Sequence, residues 1–348
     1  MRNLKDILGI EHSIGQAPML GVTTPAMVAA IANEGGLGTL PLGGLPVEMC
    51  DKLIKQTKEL TNKPFAVNVF LNPLVTQDDS QIDLMQHLLS KVCLSNNIPY
   101  TQITEFKQDT YMPLVELAIA HGIKVICFTF GCFTPPEIER LHQEGIYLIG
   151  TATTLEEAQY LSDHTIDAIT LQGIEAGGHR GSFLHDTTEQ NLPLDQLFNQ
   201  VINSSIDKPL IVTGGLYKGS QARKYIDKGA AFATFGSLFI ASDESNAMDY
   251  QKNLLSKGTP VKTKLTKSFS GKWARGIDNN FMELIDQSNI SIPPYPIQNI
   301  LTQNIRFFAK QKNIPNFNSL WCGINSHFAA KHNIKHIFNK LTKEFYEY

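Results

Sequence analysis

Short β-branched runs alternate with amphipathic stretches through the first two-thirds of the chain, a pattern that predicts a parallel sheet with crossover helices. The candidate strands cover residues 14–19, 38–42, 65–71, 124–130, 147–151, 168–171, 210–213 and 233–239. Eight is the number that closes a (β/α)₈ TIM barrel, whereas an open doubly wound α/β sheet more often has about five or six strands. One helix start is well marked: Thr24 suits the N-cap and Pro25 the first helical position, where a missing N–H costs nothing. That helix should end at Gly35-Gly36. A dinucleotide fingerprint follows a strand and opens a helix, but these glycines close a helix and lead into a strand.

A barrel of this kind needs ~250 residues, so roughly a hundred are left over. They fall at 72–109, polar with a helical pattern, and at 243–321, rich in Lys, Asn and Pro. The expected organisation is a barrel over residues 1–242 with an insertion around 72–109. A helical region over 243–325 should cover the strand C-termini, and a closing helix should occupy 326–348, with Phe328, Ile337, Phe338, Leu341 and Phe345 as its apolar positions.

Composition narrows the function classes. Of the 348 residues, 42% are hydrophobic and 18% charged, as in an ordinary globular protein. A net charge of −3 without a basic stripe gives nucleic acid nothing to bind. Lys5, Asp6 and Glu11 interrupt the start, so it does not read as a signal peptide, and no apolar run approaches the ~18 residues of a membrane span. Five scattered cysteines without a C-x-x-C pair predict free thiols in a reducing cytoplasm rather than a disulfide framework or a zinc site.

In such barrels the chemistry sits on the loops after the strands. Gln172 ends the sixth candidate strand, and the loop Gly173-Ile174-Glu175-Ala176-Gly177-Gly178-His179-Arg180-Gly181 follows. Its four glycines let backbone N–H groups approach a phosphate or a flat ring, and His179 lies where a general base would be useful. The seventh and eighth strands end in Gly214-Gly215 and Gly236-Ser237, the position where many barrels hold a phosphate. Asn68 interrupts an apolar strand and needs partners. Each of these also has a plain structural reading: tight turns for the glycines, a satisfied core amide for Asn68, an ordinary loop residue for His179. The convergence of independent strand ends on one face favours a site. His332 and His336 share a helix face without an intervening acid, which reads as a solvated basic face rather than metal ligation. Cys132 and Cys127 read as packed thiols.

Several motifs resemble the nitronate monooxygenases. These are Gln16-Ala17-Pro18-Met19, Gly21-Val22-Thr23-Thr24-Pro25, Asn33-Glu34-Gly35-Gly36-Leu37-Gly38 and Phe128-Thr129-Phe130-Gly131. The glycine-histidine loop, Phe269-Ser270-Gly271-Lys272-Trp273-Ala274-Arg275-Gly276, Pro294-Tyr295-Pro296-Ile297-Gln298 and Ser319-Leu320-Trp321-Cys322-Gly323 extend the similarity over nearly the whole chain. The resemblance implies an FMN-dependent oxidoreductase that converts nitronates, and nitroalkanes as a further class, with O₂ to a carbonyl compound and nitrite. It implies His179 as the catalytic base and Tyr295 in the substrate pocket. It places Ala17, Pro18, Met19, Asn68, Gln172, Gly177, Gly178, Gly214, Gly215, Thr234, Phe235, Gly236 and Ser237 around FMN. Cys127 stands where a serine is commoner, and Thr234-Phe235-Gly236-Ser237 stands where Gln-x-Gly-Thr is usual. The base must be neutral at rest, and Arg180 could keep it so if both side chains face the same way.

The nearest alternative is an FMN-dependent enoyl-acyl-carrier-protein reductase using NAD(P)H, against which the motifs around Tyr295 and Trp321 weigh. A flavin-binding protein without turnover would leave the loop histidine without purpose. A phosphate-sugar barrel enzyme lacking flavin is a third reading.

Overall fold

The computed structural model describes residues 4–348. Its main sheet contains β1 (Ile14–Gln16), β2 (Thr39–Pro41), β3 (Ala66–Phe70), β4 (Val125–Thr129), β5 (Tyr147–Ala152) and β6 (Ala168–Gln172). A two-residue strand, β7 (Gly178–His179), leaves this sheet, and β8 (Leu210–Thr213) and β9 (Phe232–Phe235) complete it. The strand order is β1-β9-β8-β6-β5-β4-β3-β2, and every neighbouring pair is parallel. Gly15 bridges Leu37 in parallel just before β2, and Gln16 N donates to Leu37 O at 2.9 Å, which closes the (β/α)₈ barrel. The Gln16 side chain, fully buried, ties this seam by accepting from Thr39 N at 3.1 Å and donating to Thr23 Oγ1 at 2.9 Å.

All eight expected barrel strands are present, with shifted ends. Residues 17–19 lie outside β1, since Pro18 has no N–H to continue a ladder. The last expected strand stops at Phe235, and Ser237–Phe239 forms a 3₁₀ turn instead. The helix Leu4–Leu8 plugs the other end of the barrel, packing Leu4 and Leu8 with Val125, Ile149, Ile211 and Phe232.

The helix Pro25–Asn33 starts at Thr24 as its sequence predicts. Thr24 Oγ1 accepts from Met27 N at 3.1 Å and donates to Glu244 O at 2.7 Å. Thr24→Ala removes both bonds and should cost about 1–2 kcal/mol of stability. A chemical-denaturation midpoint unchanged within error would remove the cap from this account. At the other end, Gly35 takes a φ of +81°, a left-handed turn that ends the helix.

Residues outside the barrel build a second apolar core. From the insertion, the helix Asp79–Ser95 contributes Ile82, Met85 and Leu89. From beyond the barrel, the helices Asn280–Gln287 and Ile297–Gln311 contribute Phe281, Met282, Leu301 and Ile305. The region after the barrel is not helical throughout. It holds the hairpin β10 (Thr263–Thr266) and β11 (Ala274–Ile277), whose antiparallel pairing continues onto β7, with Ala274 opposite His179. The hairpin therefore fixes the glycine-histidine loop from above.

The closing helix is shorter than expected, Ile334–Tyr346, because Asn333 caps it by accepting from His336 N at 2.8 Å. Ile337, Phe338, Leu341 and Phe345 are buried as predicted, but Phe328 precedes the helix and stacks on Tyr217 at 3.8 Å. Among the described residues, no helix is long and apolar enough to cross a membrane.

Candidate active site

A cavity of about 460 Å³ lies at the C-terminal ends of the barrel strands and reaches into the barrel. Ala17, Pro18 and Met19, which follow β1, line it together with Asn68 of β3 and Gln172 at the end of β6. Gly177, Gly178, His179, Gly214, Gly215, Thr234, Gly236 and Ser237 complete this part of the wall. Two candidates stand elsewhere. The Phe235 ring is buried in the core between the sheet and the surrounding helices, because strand alternation turns it to the opposite face from Thr234. Tyr295 lies behind the wall, its ring 6.0 Å from both Phe130 and His179.

The loop that carries His179 is held at every turn. Gln172 Oε1 accepts from Gly181 N at 2.9 Å, and its Nε2 donates to His179 O at 3.1 Å. Glu175 accepts from Leu194 N at 3.0 Å, capping the helix Leu194–Ile202, and Arg275 Nε donates to Ile174 O at 3.1 Å. A Cβ on Gly177 would sit 2.3 Å from the Cys322 carbonyl carbon, so only glycine lets the loop pass under the closing motif. Gly323 N donates to Ser237 Oγ at 2.8 Å, joining that motif to the turn after β9.

Arg180 does not face His179. It is fully buried and donates to Gly173 O and Gln172 O, both at 2.7 Å, and to Asn191 Oδ1 at 2.9 Å. The imidazole is enclosed by the rings of Phe130, Tyr295 and Trp321, with centroids 5.8, 6.0 and 5.6 Å away. Burial in this apolar cage holds its pKa down at about 3, and Lys272 and then Arg306 add to the effect. His179 is therefore neutral at physiological pH. Its Nε2 lies 2.8 Å from Ser270 Oγ, which itself donates to Lys272 O at 3.1 Å. With the hydroxyl proton used there, Nε2–H donates to Ser270 and Nδ1 keeps its lone pair.

Phe130 has a φ of +76°, a strained conformation for a bulky residue, and this turns its ring to the edge of His179. Lys272 Nζ stands 4.7 Å from the Phe130 centroid. Burial raises both the Cys127 and the Cys132 thiols to about 12, so neither is a thiolate nucleophile. His332 and His336 face each other at 4.3 Å on the surface, and neither lines the cavity.

The cavity wall offers polar groups and side-chain-free backbone to a ligand. Asn68 is 3% exposed, and its Oδ1 accepts from Thr129 Oγ1 at 3.3 Å. Among the described residues its amide Nδ2 has no partner, which leaves that donor to a ligand. Gly214 and Gly215 take φ values of +111° and +73°, and a Cβ on Gly215 would come within 2.9 Å of Glu175 Cβ. The positive φ values and the close packing against Glu175 and Ala176 require glycine at both positions, and both line the cavity.

The reading of the sequence did not single out Ser270, Lys272, Arg306 or Trp321 as site residues. Three of them fall in its motifs. Arg306 had only helical spacing to mark it, shared with Asn299, Gln303, Phe307 and Lys310 along one face of Ile297–Gln311.

The nitronate monooxygenase family profile matches residues 2–344. The Staphylococcus aureus (strain MSSA476) "Probable nitronate monooxygenase" is 36% identical over 345 residues, 98% of this chain and 96% of that protein. The solved nitroalkane oxidase of Streptomyces ansochromogenes superposes with a TM-score of 0.90 at 29% identity, covering 99% of this chain and 98% of its own. FabK from Thermotoga maritima, at 24% identity and a TM-score of 0.75 over 100% of this chain and 97% of its own, shares the fold. A barrel whose strand ends enclose a neutral histidine, matched end to end by this profile, is that of an oxidoreductase, and the chain belongs to the nitronate monooxygenase family.

Proposed function

We propose that the protein is an FMN-dependent monooxygenase that converts nitronates with O₂ to a carbonyl compound and nitrite, with His179 as the base when a neutral nitroalkane is the substrate. The observation that carries this reading is the neutral imidazole, bonded to Ser270 and caged by aromatic rings, beside a cradle shaped for a flat ring. FMN bound there supplies the electron-transfer chemistry with O₂. Asn68 Nδ2 is the donor for its ring edge, and Ala17, Pro18 and Met19 lie along the ring. Gly214, Gly215, Gly236 and Ser237 hold the phosphate, with Thr234 beside them. Gly177 and Gly178 give the ring close backbone approach. Gln172 has both ends of its amide on the histidine loop, so it acts chiefly by positioning His179.

His179 Nδ1 takes the proton from the carbon beside a nitro group, and the imidazolium formed is paired by the new nitronate anion. A substrate that arrives as nitronate needs no proton transfer and is held by its charge. The region over residues 243–325 covers the substrate and keeps water from His179, and its separate core with the insertion helix supports that role. The free cysteines support a reducing, cytoplasmic setting.

Anaerobic mixing of the purified yellow protein with a nitronate should change the flavin absorbance, and admitting air should release nitrite. NADPH should leave the spectrum unchanged. Bleaching by NADPH and indifference to nitronate would move the protein to the enoyl reductase reading.

A further inference from the structure

Among the described residues, the ionisable side chains on the cavity wall, cysteines aside, are His179, Arg306 and Lys310, and no aspartate or glutamate lines it. This is unusual in a chain of net charge −3. Arg306 stands out among them. Its Nη2 donates to Asn299 O and Oδ1, both at 2.8 Å, and its Nε donates to Thr302 Oγ1 at 3.2 Å. Those bonds orient the guanidinium, while among the described residues Nη1 has no acceptor and no carboxylate lies within ion-pair distance. Lys310 is already engaged, its Nζ donating to Asn246 O at 2.9 Å.

A half-buried guanidinium without a counter-charge is costly, and an anionic ligand removes that cost. Burial lowers the Arg306 pKa only to about 10, so the cation persists at neutral pH. Two oxygens on one nitrogen give a nitronate the outline of a carboxylate, which a guanidinium edge matches. The neutral nitroalkane carries no such charge.

We propose that Arg306 is the specificity residue of this site, its free Nη1 edge binding the anionic oxygens of a nitronate and so favouring that form over the nitroalkane of the same skeleton. The proposal rests on the nitronate reading of the cavity. Arg306 selects the ionic form presented to the site, whereas His179 moves a proton.

The test uses the flavin-loaded protein and its Arg306→Gln and Arg306→Lys variants. The first measurement is calorimetric titration with nitrate, a planar unreactive anion. The second is kcat and KM, taken separately, for a nitronate and its conjugate nitroalkane. Arg306→Gln should weaken nitrate binding and raise the nitronate KM by roughly ten- to a hundredfold. The nitroalkane KM should change less than about threefold, its loss falling in kcat, because proton removal creates the same anion only after binding. Arg306→Lys should recover part of both, which separates lost charge from a disturbed helix. An equal rise in KM for both substrates in Arg306→Gln, or unchanged nitrate affinity, would overturn the proposal. If the wild-type protein turns over neither substrate, the nitronate reading fails, whereas the nitrate titration still decides whether Arg306 holds an anion.

Discussion

His179→Asn should lower turnover of neutral nitroalkanes by about 10²- to 10⁴-fold, the usual range for losing a positioned general base. Asparagine keeps a polar group near Ser270 but offers no basic lone pair, so geometry survives and chemistry does not. Turnover of a preformed nitronate should fall much less, because that substrate has no proton to give. The cavity and its content of bound flavin should be unchanged, since the loop is held by Gln172, Glu175, Arg180 and Arg275. Steady-state assays with both substrate forms decide the matter, and equal losses on the two would remove His179 from the base role.

The pH dependence follows from the same residue. Its folded pKa lies at about 3, below the ordinary 6.5, so the base stays unprotonated as pH falls and nitroalkane turnover should show no His179 ionisation between about pH 5 and 8. The stability sign is the reverse of a salt-bridged histidine. Above 6.5 folded and unfolded imidazoles are both neutral; below it the unfolded chain takes a proton that the folded site refuses. Stability tied to this group is therefore fully present above 6.5 and is lost progressively as pH falls towards 3.

Arg180→Met should be the most damaging change to the loop, costing about 3 kcal/mol or more in folding stability and most of the activity on either substrate. The methionine fits the volume but removes the 2.7 Å donors to Gln172 O and Gly173 O in a fully buried place, leaving Gly173 O only its bond from Ala176 N at 3.1 Å. Urea denaturation and nitronate turnover measured side by side should fall together. A loss under about 0.5 kcal/mol would mean that water or Asn191 replaces the guanidinium.

Much of the fold was legible in the chain. The barrel strands announced themselves through β-branched runs, and Thr24 and Pro25 marked a helix start that the structure keeps. The cavity wall was also legible, since glycines and lone polar residues at strand ends stand out against apolar runs. Strand ends were less secure: Ala17, Pro18 and Met19 read as strand but form an irregular segment lining the cavity. Tyr295 and Phe235 were placed one layer too close to the cavity, because the direction of a side chain depends on pairing that a motif does not carry.

The hairpin β10–β11 was the largest omission. Its strands are short and mix polar residues with Leu265, Ala274 and Ile277, and its pairing with Gly178 and His179 joins segments remote in the chain. Arg180 was to keep His179 neutral only if both side chains faced the same way, and adjacent residues at an extended strand end point to opposite faces. Lys272 and Arg306, far away in sequence, supply that electrostatic effect.

The sequence by itself determined the barrel, the glycine-histidine loop and the strand-end residues around one cavity, because these depend on local periodicity and on what glycine and proline permit. The tertiary structure alone decided that His179 is buried in an apolar cage that keeps it neutral, with Ser270 at its Nε2, and that Arg306 lines the cavity with, among the described residues, no carboxylate partner. Those properties depend on distance, dielectric surroundings and hydrogen-bond geometry between segments that only folding brings together.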